Sequence, residues 1–410
     1  MSFLEIFAIL LTLAAVFGVI NYRTVKLPTT IGIMVVTMVF SLLMLAFGTV
    51  APGVQHRAVS LLQQIDFSQV LLHGMLGALL FAGALHVNLN DLISQYRIIV
   101  SLATFGVLLS TFLVGALTWF LLSLTPLSLS FGYCLLFGAL ISPTDPIAVL
   151  GILKTANAPK RLETKITGES LFNDGVGVVL YLVILEIVTQ GQQFDLSNAG
   201  FLFLEEVIGG VIVGFIMGYF AYRMLKIVDD YQVEVLITLS LVTGGYALAE
   251  TLHLSAPLAI VVAGLLIGNK GRKFAMSENT RKNLDRFWEL LDSILNALLF
   301  TLMGLEVLAI HFNLLSLMVG GMAIGITLFA RFVSVAIPVT ILKNFREFSP
   351  KAIRVLTWGG LRGGISVALA LSLPRGTERE LILIMTYTVV VFSVIIQGLT
   401  LGRLVSSRVN

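Results

Sequence analysis

Charge is scarce in this 410-residue sequence: Asp, Glu, Lys and Arg together supply 12% of it. That is about half the share usual in a soluble domain, so a soluble globule is excluded. There is one cysteine, Cys134, which rules out an internal disulfide. It sits in an apolar run and reads as a small residue facing core or lipid. No His/Cys cluster has the spacing of a zinc or copper site. No Walker-type phosphate loop is present, which argues against work driven by ATP. No cofactor and no nucleic-acid partner are expected. No Lys or Arg precedes the first apolar run, so Leu4–Ile20 reads as an uncleaved first helix. Low-complexity linkers and soluble stretches are also missing, and residues 1–410 are expected to form a single transmembrane domain.

What the sequence has in quantity is apolar surface: 57% of the residues are hydrophobic, and the mean hydropathy is +0.97. An all-α, multi-pass membrane protein follows. Runs long enough to cross a bilayer, about 20 residues each, fall at roughly 3–20, 31–50, 68–87, 98–122, 131–153, 167–190, 201–225, 232–251, 254–268, 290–310, 314–341, 352–373 and 381–402. That makes thirteen. The ninth is short, and only Leu252-His253 parts it from the eighth.

The basic residues test this division. Twenty of the 26 fall in one set of alternate loops, including Arg97, Lys154, Lys160, Lys165 and the run from Lys270 to Arg286. The other set holds Arg57, Arg375 and Arg379, while Arg331, Arg354 and Arg362 lie within or at the edges of spans. Such asymmetry marks the rich set as cytoplasmic, with the N-terminus outside and the C-terminus inside. Thirteen spans divide naturally into six, one and six. Two six-helix units joined by one extra helix have opposite orientations, the inverted-repeat plan of many secondary transporters.

Under that plan the fifth span corresponds to the twelfth, and both are built to break. The fifth carries Ile141-Ser142-Pro143-Thr144-Asp145-Pro146, where neither proline can donate the helical hydrogen bond. The twelfth carries Trp358-Gly359-Gly360-Leu361-Arg362-Gly363-Gly364, whose four glycines weaken a helix. Interrupted segments at matching positions of two halves, crossing near the midplane, point to a binding site there.

The sixth span opens with Gly168-Glu169-Ser170-Leu171-Phe172-Asn173-Asp174. Ser170 and Asp174, four apart, share one helix face, and Glu169 and Asn173 share the adjoining one. Ionisable groups at such depth are expensive and mark ion or proton pathways. Asp174, Asp145, Ser170 and a freed carbonyl near Thr144 would offer the oxygen ligands that a hard cation prefers.

These three segments resemble the sodium/proton exchanger branch of the monovalent cation–proton antiporters, the NhaP-like proteins. The likeness runs through nearly the whole chain in span order. It implies a homodimer of thirteen-helix chains in the cell (inner) membrane, in contact with lipid, exchanging a monovalent cation for a proton by alternating access of a core domain. Sodium is the cation expected, with lithium and potassium as alternatives, and the role is pH and sodium homeostasis. By the same resemblance Asp174 is the principal ion- and proton-binding carboxylate. Asp145, the Thr144 backbone and Ser170 complete the sodium ligands. Glu169 becomes the partner of Arg362. Read from its position alone, Arg331 is either an alternative partner or a side chain that snorkels. Asn173 stands where electrogenic relatives place a second aspartate, which implies one proton per cation and an electroneutral cycle. Ala82 occupies a third-span position that is acidic in some relatives, and it supplies no ligand.

Rival readings make different demands. A K+/H+ antiporter would use the same carboxylates. An organic-solute symporter calls for a larger pocket with aromatic or arginine ligands, and a non-transporting cation sensor for a soluble output domain. A channel needs a continuous filter of carbonyls or charged rings. His73, in the third span, is expected to be a buried, hydrogen-bonded histidine. The basic loop 270–286 is expected to fix topology.

Overall fold

The computed structural model of the protein describes residues 3–48, 67–145, 149, 153, 160–190, 196–308, 314–343 and 352–406. Every regular element among them is a helix. In chain order the principal ones are α1 (Phe3–Ile20), α2 (Thr29–Gly48), α3 (Phe67–Leu85) and α4 (Tyr96–Ser123), α5 (Phe131–Ile141), α6 (Lys160–Gln190) and α7 (Leu196–Leu225). Then follow α8 (Tyr231–Thr251), α9 (Ala256–Leu266), α10 (Glu278–Leu305), α11 (Leu314–Lys343), α12 (Ala352–Trp358), α13 (Gly364–Ser372) and α14 (Thr377–Val405).

Among the described residues ten helices are long and apolar enough to cross a membrane. Each coincides with a predicted span. The other three predicted spans fall on shorter helices: α5 stops at Ile141, α9 is 11 residues long, and 352–373 is split into α12 and α13. The cause in the first and last is the proline and glycine chemistry read above. Pro146 lies outside the described residues, as do Arg57, Lys154, Arg346, Lys351 and Arg408 from the count of basic loops.

Caps rather than hydropathy set several boundaries. The Asp230 side chain accepts from Gln232 N at 2.8 Å and starts α8. Ser277 Oγ accepts from Thr280 N at 3.3 Å and starts α10, so this helix begins twelve residues before the apolar run and takes in part of the predicted basic loop. His253 turns the chain between α8 and α9 with φ 54°, after which the Ser255 hydroxyl caps α9. That settles the boundary hydropathy left open.

The helices pack as two groups. One contains α4, α5, α6, α11, α12, α13 and α14; the other contains α1, α2, α3, α7, α8, α9 and α10. They meet where α6 lies against α7 and α9, and where α13 lies against α3 and α10. Much of α7 is left uncovered by protein, with Phe201, Ile208, Ile212, Phe215 and Phe220 exposed. One expectation is corrected here. His73 is not buried: its side chain is 57% exposed and pairs at 3.2 Å with Glu250 of α8, because this stretch of α3 faces out of its bundle.

Candidate functional site at the crossing of two broken helices

Where α5 stops, its freed backbone finds partners in the other break. Pro146 has no N–H to offer the Ser142 carbonyl, and Ser142 O instead accepts from Arg362 Nη1 at 2.7 Å. The Pro143 carbonyl accepts from the same nitrogen at 2.8 Å. In return Asp145 N donates to Leu361 O at 2.8 Å. The two interruptions therefore cross in contact, each supplying what the other lacks.

The first half of the broken pair α12–α13 is capped in the same way. Arg331 Nη2 donates to Leu356 O at 3.1 Å, and Gln397 Nε2 donates to Trp358 O at 3.0 Å. Cationic donors suit the negative end of a helix. Arg362 N donates to Ser393 Oγ at 2.9 Å. Ser393 and Gln397 bound a π-helical turn within α14, a distortion frequent at functional sites.

Across from the first break, α6 presents Glu169, Ser170, Asn173 and Asp174, all at most 4% exposed. Asn173 holds Thr144 from two sides. Its Oδ1 accepts from Thr144 N at 3.2 Å, and its Nδ2 donates to Thr144 Oγ1 at 2.8 Å. Thr144 Oγ1 also lies 2.9 Å from Ser170 Oγ. Once Asn173 has donated to it, the Thr144 hydroxyl keeps one hydrogen and one lone pair for Ser170. Sequence alone assigned Asn173 the negative virtue of not being a carboxylate; the structure gives it the task of fixing the broken strand of α5 against α6.

Asp174 and Asp145 both line a cavity of about 460 Å³. Its walls come from α3 at Leu80, Ala82 and Gly83, from α10 at Trp288, Asp292 and Leu299, and from α13 at Gly364 and Ser366. Asp91, Lys160 and Glu163 also line it, with the 76% exposed Lys160 side chain placing Nζ 2.9 Å from Asp91 Oδ2. Gly363 also lines it, and a Cβ there would collide with the Asp145 carboxylate. Glycine is thus what lets Asp145 reach the cavity. Asp174 is near enough to Asp145 and Arg362 for their charges to act on it.

The predicted partnership of Glu169 with Arg362 is corrected. The Glu169 carboxylate pairs with Arg331 Nη1, both side chains being 7% exposed or less. Arg362 is committed to the two α5 carbonyls. Position decides this: α11 brings Arg331 in at the level of Glu169, one turn before Asn173 on α6, while Arg362 projects from the break itself. No spacing in the sequence could rank the two arginines, whereas the orphaned Ser142 carbonyl is a signal that Pro146 carried all along.

Carboxylates at crossed helix ends in a membrane protein, open to one cavity, form the kind of site at which secondary transporters hold a small ion and let it go. The class so defined is the secondary transporter, not the enzyme. A sequence model of the transmembrane sodium/hydrogen exchangers matches residues 9–407, and the chain belongs to that family. It is 50% identical over 407 residues to the Na(+)/H(+) antiporter NhaP of Pseudomonas aeruginosa, covering 98% of this chain and 96% of that one. With the antiporter NhaH of Halobacillus aidingensis it shares 37% identity over 92% of this chain and 91% of the relative. Its fold matches that of the sodium proton antiporter MjNhaP1 from Methanocaldococcus jannaschii with a TM-score of 0.74, at 19% identity, over 97% of this chain and 96% of that one.

The pairing of Glu169 with Arg331 makes a prediction. Removing either partner leaves an uncompensated buried charge, a loss of roughly 3–5 kcal/mol. Glu169→Ala and Arg331→Ala should each lower the unfolding midpoint in detergent, and the double variant should fall far short of their sum. Glu169→Ala combined with Arg362→Ala should come closer to additivity. The reverse ranking of the two cycles would contradict the assignment.

Proposed function

We propose that the protein is a secondary antiporter exchanging sodium for protons, with both ions competing for the Asp174–Asp145 site. The observation that carries this reading is the single cavity that leads to both carboxylates beside the Thr144–Ser170 hydroxyls. Asp174 is the principal ligand. Asp145, Ser170 and the Thr144 carbonyl complete the set, and Asn173 keeps Thr144 in place for it.

Charge counting at the crossing supports a one-for-one cycle. Glu169 and Arg331 cancel each other. Arg362 offsets one of the two carboxylates, which leaves one negative charge in the empty site. One proton or one sodium ion neutralises it. A loaded core is neutral with either cargo, while an empty one carries an uncompensated charge that is costly to move through the membrane interior. Exchange is therefore coupled without a separate gate, and it is electroneutral.

The basic asymmetry of the loops places Asp91, Lys160 and Glu163 on the cytoplasmic side, so the cavity is the inward-facing entrance. The N-terminus is then outside and the C-terminus inside. The three short or interrupted helical segments join the ten long helices as spans, giving thirteen, arranged as two inverted six-helix units joined by one extra helix. Alternating access is the movement of the α4–α6 and α11–α14 group against the other. The exposed apolar face of α7 meets lipid or a second copy of the chain in a homodimer.

Two outcomes are expected. Asp174→Asn in proteoliposomes should abolish sodium-dependent proton flux while leaving insertion and folding intact; flux at a large fraction of wild type would remove Asp174 from the mechanism. With the potential clamped by a potassium–valinomycin gradient, sodium-driven proton flux should be equal at both signs of voltage. A moving unit charge couples at about 2.3 kcal/mol per 100 mV, so a severalfold, sign-dependent rate would rule out the electroneutral cycle.

A further inference from the structure

A second, much smaller cavity shares no lining residue with the first. Its volume is about 10 Å³, and Thr327, Arg331, Thr357, Gly360 and Arg362 are among its walls. Three of these residues bring a buried polar atom that has no protein partner: Thr327 Oγ1, Thr357 Oγ1 and Arg331 Nε. Threonines of the neighbouring α14 hydrogen-bond the carbonyl four residues back, as Thr386 does to Ile382 O at 2.7 Å and Thr388 to Ile384 O at 2.7 Å. Thr327 and Thr357 do not, so their hydroxyls serve something else. Arg331 spends Nη1 on Glu169 and Nη2 on the Leu356 carbonyl, which leaves Nε as its one nitrogen without a protein partner. A Cβ at position 360 would lie 2.5 Å from that Nε. Glycine keeps the space beside it open.

We propose that this cavity binds one structural water, which accepts a hydrogen bond from Arg331 Nε and bridges the hydroxyls of Thr327 and Thr357. The volume is about that of one water molecule, and three polar contacts are what a buried water typically makes. Leaving the three groups unpaired in a low-dielectric interior would cost far more than ordering one solvent molecule. Chloride is the competing occupant, since two guanidinium groups face the cavity, but its larger radius does not fit. The water ties α11 to the last turn of α12 and completes the coordination of the arginine that neutralises Glu169.

The protein in lipid nanodiscs should be imaged at a resolution that shows ordered water, once in chloride and once in bromide. A peak of water strength within hydrogen-bonding distance of all three atoms, the same in both salts, is expected. No peak, or one that grows heavier in bromide, would overturn the proposal. A double-mutant cycle gives an independent reading. Thr327→Val and Thr357→Val should each lower the unfolding midpoint by about 2 °C, the scale of one net hydrogen bond. The double variant should fall no further than the larger single one, because the first loss already breaks the bridge. Thr327→Ser, which keeps the hydroxyl, should keep the water peak. Full additivity of the two valine variants would show that the hydroxyls share no water.

Discussion

Backbone groups released inside a membrane must find partners, and this structure is organised around how they do so. Two helices end in mid-span, and each break would strand carbonyls and N–H groups in a medium that offers no water. The solution is reciprocal: the Asp145 N–H goes to the Leu361 carbonyl, and the Arg362 guanidinium goes to the carbonyls of Ser142 and Pro143. Each break is stable because the other is present. A continuous helix at either position would leave its counterpart unsatisfied, so the irregularity that creates the site is held in place by the irregularity opposite.

Charge is placed by the same logic. Membrane burial of three acids and two arginines is affordable only if each has a defined counterpart. Glu169 has Arg331, and Arg362 is fixed by carbonyls while its charge acts on Asp174. Asp174 and Asp145 both line the cavity. In the proposed exchange a cation or a proton reaches them there in turn. The network of Asn173, Thr144 and Ser170 adds the geometry.

Much of this was legible in the sequence, because membrane burial makes its rules severe. Pro143 and the glycines from Gly359 to Gly364 announce interruptions, and the spacing of Glu169, Ser170, Asn173 and Asp174 places them on one half of a helix. What stayed hidden depended on tertiary level. Arg331 and Arg362 are equally plausible partners for Glu169 until α11 and the break in 352–373 are set in space. Hydropathy alone starts α10 late, because Ser277 and its cap, rather than apolar residues, begin the helix. An apolar run implies a buried His73, but its side chain is 57% exposed beside Glu250 of α8. Hydropathy reports the membrane, not which face of a helix its neighbours cover.

The central claim is that a cation and a proton compete for one site built on Asp174 and Asp145. Direct binding tests it without transport: calorimetry of sodium binding to purified protein, repeated in buffers of different ionisation enthalpy, counts the protons released. The account predicts about one proton released per sodium bound when the site starts protonated, as when other ligands displace protons from their oxygen or nitrogen donors, and none with Asp174→Asn. Sodium binding that releases no proton, or proton release that persists in that variant, would contradict it.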